Sequence, residues 1–209
     1  ALACRLCPDF LRYIGKPETI VAVTGTNGKT TVTNTIADIL EKNGRHVLSN
    51  RAGSNMWSGI ATTLLGGCGL GGRLRKGYDT AVLEVDERSS PRIYPYVEPD
   101  VLVVTNLFRD SIKRNGHSEY IFGKIAQALP KKTRLLLNGD DVISGLLGQG
   151  TNERVFYSVA RTERSTDTCA NTACDRSACP CCGHLLTFDY YHYHHIGKAR
   201  CPHCGFALP

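Results

Sequence analysis

The sequence predicts an α/β fold with a mostly parallel β-sheet, followed by a small module held together by a metal. Short apolar segments, typical of strands buried on both faces, alternate with segments of helical periodicity. A glycine-containing turn joins the first strand to the first long helix, and after about residue 160 the composition shifts to Thr, Ser, Asp, Cys, Tyr and His. We therefore predict a helical lead-in over residues 1–18, an α/β domain over 19–160 and a metal-held module over 161–209.

The individual elements follow from the hydrophobic pattern. A helix is predicted from Lys29, because apolar residues recur on one face from Val32 to Leu40 and Gly44 supplies a stop signal. Further helices are predicted at residues 58–65, 88–96 and 118–129. Buried strands are predicted at residues 19–24, 46–49, 80–85, 101–105, 134–137 and 155–159.

Composition narrows the class of protein. The chain has 209 residues, of which 42% are hydrophobic, so it can bury a substantial core. No apolar run approaches the roughly 18 residues of a membrane-spanning helix, and no export leader is recognisable, so we expect a cytoplasmic protein. The formal net charge of +6 suits phosphate-bearing partners without indicating nucleic acid.

The turn between the first strand and the first helix has the chemistry of a triphosphate site. Backbone N–H groups, a helix N-terminus and the lysine that follows the turn all attract phosphate oxygens. The generic P-loop pattern expects glycine at position 23, where the chain has Val23. We nevertheless predict that this segment binds a triphosphate through Gly25, Thr26, Asn27, Gly28, Lys29, Thr30 and Thr31.

A magnesium ion accompanies a bound triphosphate and needs oxygen ligands from the protein. The Thr30 hydroxyl is one candidate. The strand at 80–85 supplies a second in Glu84, and Asp86 and Glu87 are held in reserve because they follow directly. We predict Thr30 and Glu84 as the magnesium ligands.

Seven of the ten cysteines lie in the last 41 residues, which indicates a metal site rather than a disulfide scaffold. Two C-x2-C-G turns are separated by 18 residues, a spacing typical of a zinc ribbon. Four thiolates would leave no open position, so the zinc is expected to be structural. The five histidines of this module are interpreted as packing residues of a hairpin rather than as a second metal site. The predicted zinc ligands are Cys179, Cys182, Cys201 and Cys204.

Residues 24–31 resemble the ATP-binding loop of Mur ligases and folylpolyglutamate synthases, in which the first glycine of the generic pattern is also missing. These enzymes join an amine to a carboxylate through an acyl phosphate. Glu84 matches the magnesium glutamate of the family. Residues 138–141, Asn-Gly-Asp-Asp, resemble its Asn-x-Asp-Asp segment, which implies adenosine contacts for Asn138 and Asp141.

Within this family, residues 49–56, residues 105–110 and the four-cysteine ribbon resemble the MurT branch, the synthetase subunits of lipid II isoglutaminyl synthases. The resemblance implies ATP-dependent amidation of the α-carboxylate of D-glutamate in lipid II to D-isoglutamine. Lys29 and Arg109 would be catalytic, and Asn106, Arg109 and Asp110 would contact substrate. Ammonia would come from a glutaminase subunit of the GatD type in a heterodimer, at the inner membrane face.

The resemblance also implies that relatives continue beyond the ribbon. They carry the rest of the ATPase domain and a C-terminal domain with an acidic catalytic residue, so this chain is expected to be incomplete for catalysis. Two other interpretations stay open. Another Mur-type or folylpolyglutamate-type amide ligase would share the loop but not need the ribbon, and a nucleic-acid-binding P-loop protein with a zinc ribbon would show steep salt dependence.

Overall fold

The computed structural model describes residues 6–51, 54–108, 118–169 and 177–209. Its centre is a six-stranded sheet in the order β2-β3-β1-β4-β5-β6, in which every described pairing is parallel. The predicted α/β class with a mostly parallel sheet is confirmed. The strands of this sheet are β1 (Thr19–Thr24), β2 (Val47–Ser49), β3 (Thr80–Glu84), β4 (Val101–Val104), β5 (Arg134–Asn138) and β6 (Arg154–Tyr157).

Helices cover the sheet and bury its apolar strands. They are α1 (Phe10–Tyr13), α2 (Lys29–Lys42), α3 (Trp57–Gly66), α4 (Ser90–Ile93) and α5 (Ser118–Ala128), with a short 3-10 turn at Ser144–Leu146. The core includes fully buried side chains from strands and helices alike, such as Leu83, Leu102, Ile125 and Leu137. None of the described helices is long and apolar enough to cross a membrane.

One predicted helix differs from the structure. The pattern at 88–96 predicts nine residues of helix, whereas α4 spans only Ser90–Ile93 and turns flank it on both sides. Asp86 accepts hydrogen bonds from the backbone N–H groups of Arg88 and Ser89, which makes a turn before the helix. Pro95 has no N–H to continue the helical ladder, so the helix ends early.

The sheet topology gathers the sequence-predicted site at one edge. Strand β1 lies between β3 and β4, with Val23 paired to Glu84 and Thr24 paired to Val104. The turn after β1, the end of β3 and the segment after β4 therefore emerge side by side at the carboxyl ends of parallel strands. In open α/β sheets this edge is where ligands bind.

The C-terminal part forms a ribbon, defined here as residues 177–209, around an antiparallel hairpin of β7 (Thr187–Tyr193) and β8 (Ile196–Arg200). A second hydrophobic cluster joins Cys179, Leu186, Ala199 and Cys201 of the ribbon to Val142. The backbone N–H of Gly197 also donates to the Asp140 carbonyl at 2.8 Å. The ribbon thus packs against the segment that follows β5.

Candidate functional site

The turn between β1 and α2, residues 25–28, is called the phosphate loop below. Gly25 has a φ of 127° and Gly28, the N-cap of α2, has a φ of 80°, both in the region that favours glycine. A Cβ on Gly25 would lie 2.2 Å from the Thr105 hydroxyl oxygen, so no larger side chain fits. The N-terminus of α2, whose first backbone N–H groups have no partner within the helix, therefore follows the loop directly.

The phosphate loop is held by the segment after β4, residues 105–108, which is called the brace below. The Thr26 N–H donates to the Asn106 carbonyl at 2.7 Å, and the Asn27 N–H donates to the Asn106 side-chain oxygen at 3.0 Å. The Thr105 hydroxyl donates to the Asn27 carbonyl at 2.7 Å. The Asn106 side chain therefore supports the loop, and its predicted contact with substrate stays a prediction.

Lys29 is folded over the phosphate loop. Its ammonium group donates to the carbonyls of Gly25 and Thr26, the second at 3.1 Å, and lies 3.3 Å from a carboxylate oxygen of Glu87. Its side chain is only 14% exposed. These three oxygens hold the ammonium group at the loop. A bound triphosphate would take their place as the hydrogen-bond acceptor of Lys29.

Glu87 is the buried counter-charge of Lys29. Burial raises the pKa of the Glu87 carboxyl above its usual value, and the nearby Lys29 only partly opposes this. Burial also raises the pKa of the Tyr94 phenol, with a smaller effect from Glu87. The Glu87 carboxylate is thus held at some cost beside the phosphate site.

Substituting Glu87 with glutamine is expected to change how stability depends on pH. Because the folded-state pKa of Glu87 is raised, its stabilising contribution is present at low pH and is lost as pH rises through that pKa. Glu87→Gln removes this titration, so the melting temperature of the variant minus that of wild type should increase as pH rises from the ordinary glutamate pKa toward neutral. A melting difference that does not vary with pH would contradict this assignment.

Thr30 and Glu84 meet at the entrance of α2. The Thr30 hydroxyl donates to one carboxylate oxygen of Glu84 at 2.8 Å, and the Asn55 amide donates to the other at 2.8 Å. Asn50 fixes the backbone of Glu84 through bonds to both its N–H and its carbonyl. A hydroxyl and a carboxylate placed side by side at a phosphate loop are oxygen donors that suit Mg²⁺.

The two reserve carboxylates have other partners. Asp86 accepts hydrogen bonds from the backbone N–H groups of Arg88 and Ser89, and Glu87 forms an ion pair with Lys29.

Glu84→Gln should therefore reduce the gain in nucleotide affinity that Mg²⁺ provides by about tenfold, whereas the control Asp86→Asn should leave it unchanged. Titrations with and without Mg²⁺ make the comparison, and equal losses in both variants would show that Glu84 has no special part.

The other predicted nucleotide and substrate residues divide into two groups. Asn138 donates to the Thr105 carbonyl at 2.9 Å and accepts from the Asp140 N–H, and Asp141 is fully buried with its carboxylate bonded to protein groups. Their predicted adenosine contacts stay predictions, since both side chains are engaged inside the protein. Arg109 and Asp110 lie outside the described residues.

A cleft of about 940 Å³ opens beside Lys29 and Glu87. Three basic side chains, Arg88, Arg92 and Lys124, line it. Among the described residues, none of the three has a carboxylate within ion-pair distance; Lys124 instead lies over the Tyr120 ring, 5.3 Å from its centroid. The cleft therefore places Arg88, Arg92 and Lys124 beside the phosphate loop, together with the carboxylates of Asp86 and Glu87.

The four predicted zinc cysteines come together. The sulfurs of Cys179 and Cys204 are 3.6 Å apart, those of Cys182 and Cys201 are 3.5 Å apart, and all four lie within 4.8 Å of one another. Four sulfurs about 2.3 Å from one zinc would be separated by roughly 3.8 Å, so the set fits a tetrahedral zinc. Gly183 and Gly205 adopt φ values of 76° and 74° at the two turns.

The surroundings lower the pKa of the Cys179 and Cys201 thiols and raise the pKa of the Cys182 and Cys204 thiols, so the thiolate is favoured at the first two positions. Burial opposes ionisation of Cys179, but backbone N–H donors from Cys181 and Cys182 and the Cys204 thiol outweigh it and lower its pKa to about 6.

A second cluster joins Cys182 to His184 and His203. The two imidazoles are stacked with centroids 3.6 Å apart and planes 9° apart, so their lone pairs do not converge on one ion.

Three side chains that the sequence did not single out form hydrogen bonds to predicted site residues. Asn50 and Asn55 support Glu84, and His195, fully buried, bonds to Asp141 at 3.1 Å. All of these contacts join segments 29 or more residues apart. Both asparagines lie in the segment 49–56 that resembles the family, and this resemblance could have indicated their importance. No sequence feature distinguishes His195 from the other histidines of the ribbon.

Comparison with known proteins adds to this geometry. A model of the Mur ligase middle domain matches residues 23–179. The chain is 34% identical over 209 residues to the MurT subunit of lipid II isoglutaminyl synthase (glutamine-hydrolyzing) from Staphylococcus aureus strain COL, a match that covers 98% of this chain and 45% of that protein. It is 35% identical over 211 residues to the MurT subunit from Streptococcus pneumoniae strain ATCC BAA-255 / R6, covering 100% of this chain and 46% of that protein.

A solved structure of similar fold is that of a pseudomurein peptide ligase type C from Methanothermus fervidus. It superposes with a TM-score of 0.70 and 26% identity, over 97% of this chain and 38% of that chain. The present chain spans about half the length of the curated relatives it matches. Because the family model covers well over half of the chain, the chain belongs to the Mur ligase family and carries the middle domain of that family.

Proposed function

We propose that this chain is the ATP-binding part of an enzyme that amidates the α-carboxylate of D-glutamate in lipid II to D-isoglutamine. ATP and Mg²⁺ bind at the phosphate loop, zinc holds the ribbon, and ammonia comes from a glutaminase partner of the GatD type. The observation that carries this proposal is the 34–35% identity to MurT subunits over at least 98% of the chain, a length that includes the ribbon.

The proposed chemistry activates a poor electrophile. A carboxylate oxygen of the substrate attacks the γ-phosphorus of ATP, the bond to the β-phosphate oxygen breaks, and ADP leaves. Ammonia then attacks the carbonyl carbon of the acyl phosphate, phosphate leaves, and nitrogen loses a proton. Lys29 would offset the charge on the transferred group, and Arg109 is proposed to assist it. Mg²⁺ held by Thr30 and Glu84 would neutralise charge on the β- and γ-phosphates.

The basic side chains of the cleft beside the phosphate loop support the proposal that the second substrate is an anion. Arg88, Arg92 and Lys124 face the space next to Lys29, and the ion pairs of the described residues leave their charges without a carboxylate. Lipid II carries a diphosphate and peptide carboxylates, which such a surface attracts. The substrate would approach from the membrane surface, so we propose a cytoplasmic enzyme that associates peripherally with the inner face.

The organisation of the domain follows the same proposal. The proposed ATP-binding domain comprises residues 19–160 and is preceded by the lead-in at 1–18. The metal-held module comprises residues 161–209 and includes the ribbon. Asn106, Arg109 and Asp110 are proposed to contact substrate, and Asn138 and Asp141 are proposed to contact adenosine.

Mass spectrometry of lipid II tests the proposal. The native full-length protein is incubated with lipid II, ATP, Mg²⁺ and either ammonium or glutamine, with and without the glutaminase partner. Amidated lipid II is expected with ammonium alone, and with glutamine only when the partner is present. Glutamine-dependent product without the partner would overturn the division of labour, and nucleotide hydrolysis without any amidated product would overturn the substrate assignment.

A second candidate has its own observation. The pseudomurein peptide ligase type C is similar over 97% of this chain, at 26% identity. A related activity would use the amine of an amino acid instead of ammonia, with the same phosphate loop. Replacing ammonium by a panel of amino acids in the assay separates the two, since a peptide ligase would add the mass of a residue to the acceptor.

A further inference from the structure

The hairpin turn of the ribbon reaches the nucleotide site through one fully buried side chain, His195. Its Nε2 lies 3.1 Å from a carboxylate oxygen of Asp141, and both side chains have no solvent exposure. A carboxylate only accepts, so the imidazole carries its proton on Nε2 and donates it. This hydrogen bond ties the ribbon to the loop after β5.

Asp141 in turn holds the brace. Its second oxygen accepts the Leu107 N–H at 2.7 Å, while the first also accepts the Ile143 N–H at 2.9 Å. The carboxylate therefore joins three segments: the ribbon, the turn after β5 and the brace. A change in its position would be transmitted to the Leu107 backbone.

The next residue of the brace contacts the phosphate loop directly. The Thr26 hydroxyl donates to the Phe108 carbonyl and accepts from the Phe108 N–H, both at 3.1 Å. The Phe108 ring is enclosed by the hairpin turn, with centroids 5.2 Å from His194, 5.6 Å from Tyr193 and 6.3 Å from His195. Backbone and ring of one residue thus link the ribbon to the loop.

The placement of His195 is costly for stability alone. Its Nδ1 is buried without a hydrogen-bond partner among the described residues. A buried polar atom left unpaired is unfavourable, and an apolar side chain of similar size would avoid the penalty. The imidazole is therefore best explained by what its Nε2–H does at Asp141.

We infer that His195 is a positioning residue of the nucleotide site, which it supports through Asp141, the Leu107–Phe108 backbone and Thr26. The inference rests on the proposed binding of ATP at the phosphate loop. Since coupling between sites is reciprocal, nucleotide binding must also stabilise the hairpin turn by the same factor. The ribbon is then a support of the ATP site as well as a packed module.

Two substitutions at His195 separate positioning from packing. His195→Gln keeps an N–H donor at about the reach of Nε2, whereas His195→Leu fills the space without a donor. We expect the leucine variant to bind a non-hydrolysable ATP analogue at least about fivefold more weakly, and the glutamine variant to bind within about twofold of wild type. Zinc content should stay the same in both variants.

Hydrogen exchange provides the readout that simple destabilisation would not give. The Leu107 amide, which bonds to Asp141, should exchange faster in His195→Leu than in wild type. The Gly197 amide should exchange more slowly when nucleotide is bound to wild type, and this effect should be lost in His195→Leu. Leu186→Ala, which loosens the hydrophobic cluster of the ribbon but retains the His195 side chain that donates to Asp141, is the control for a loosened ribbon.

The outcomes are distinct. Equal affinity of wild type and His195→Leu would overturn the inference, as would an equal loss in the leucine and glutamine variants or in Leu186→Ala. Failure of the wild-type protein to bind the analogue at all would instead overturn the proposed ATP site.

Discussion

Replacing Lys29 with alanine is expected to lower the affinity for a magnesium–nucleoside triphosphate by about tenfold or more. A hydrogen bond to a charged group contributes roughly 1.5–3 kcal/mol, and Lys29 is the cation that lies at the phosphate loop itself. Isothermal titration with a non-hydrolysable ATP analogue measures the loss. Unchanged affinity would show that the triphosphate does not bind at the phosphate loop.

Glu87 can affect the stability of the Lys29→Ala variant. Removal of Lys29 leaves a buried carboxylate without its partner, which could weaken the fold rather than the site. The double variant Lys29→Ala/Glu87→Gln removes that charge and should still fail to bind. Lys42→Ala, an exposed lysine at the other end of α2, is the matched control and should bind like wild type.

The second large effect is expected from Cys201→Ser. Loss of one thiolate from the four-sulfur cluster should reduce bound zinc from about one equivalent to about none, because structural zinc sites depend on the complete ligand set. Cys201 also belongs to the hydrophobic cluster that joins the ribbon to Val142. The variant should therefore show a lower melting temperature as well as the loss of metal.

Cys181→Ser is the matched control for this change. Cys181 is exposed and stands between two members of the cluster but does not belong to it. Its replacement should leave zinc content and melting unchanged. A full equivalent of zinc in Cys201→Ser, or the same loss of zinc in both variants, would show that the ligand set is wrong.

Features determined by neighbouring residues could be predicted from the sequence. The phosphate loop requires a strand, a glycine turn and a lysine within a dozen residues, and all three stand at 19–30. The C-x-x-C-G turns likewise carry their geometry locally, so the four sulfurs converge as predicted. The long helices were predicted to within two residues because their apolar faces repeat over several turns.

Features that depend on contacts across the chain could not be predicted. The hydrogen bond between the Asn27 N–H and the Asn106 side chain joins residues 79 positions apart, and no local pattern indicates it. The burial of Asp141 and its bond to His195 depend on how the ribbon packs, which no periodicity encodes. The helix at 88–96 was predicted too long because apolar residues at helical spacing outweighed Pro95 in the pattern.

In the proposed reaction, ATP activates the substrate carboxylate by phosphorylating it. Lipid II labelled with a heavy oxygen isotope in the D-glutamate α-carboxylate tests this directly with the native full-length protein, ATP, Mg²⁺ and ammonium. Transfer of the γ-phosphoryl group to that carboxylate leaves one labelled oxygen in the inorganic phosphate released on amidation. Labelled phosphate is expected in equal amount to amidated lipid II, whereas amidated product accompanied by unlabelled phosphate would show that no acyl phosphate forms.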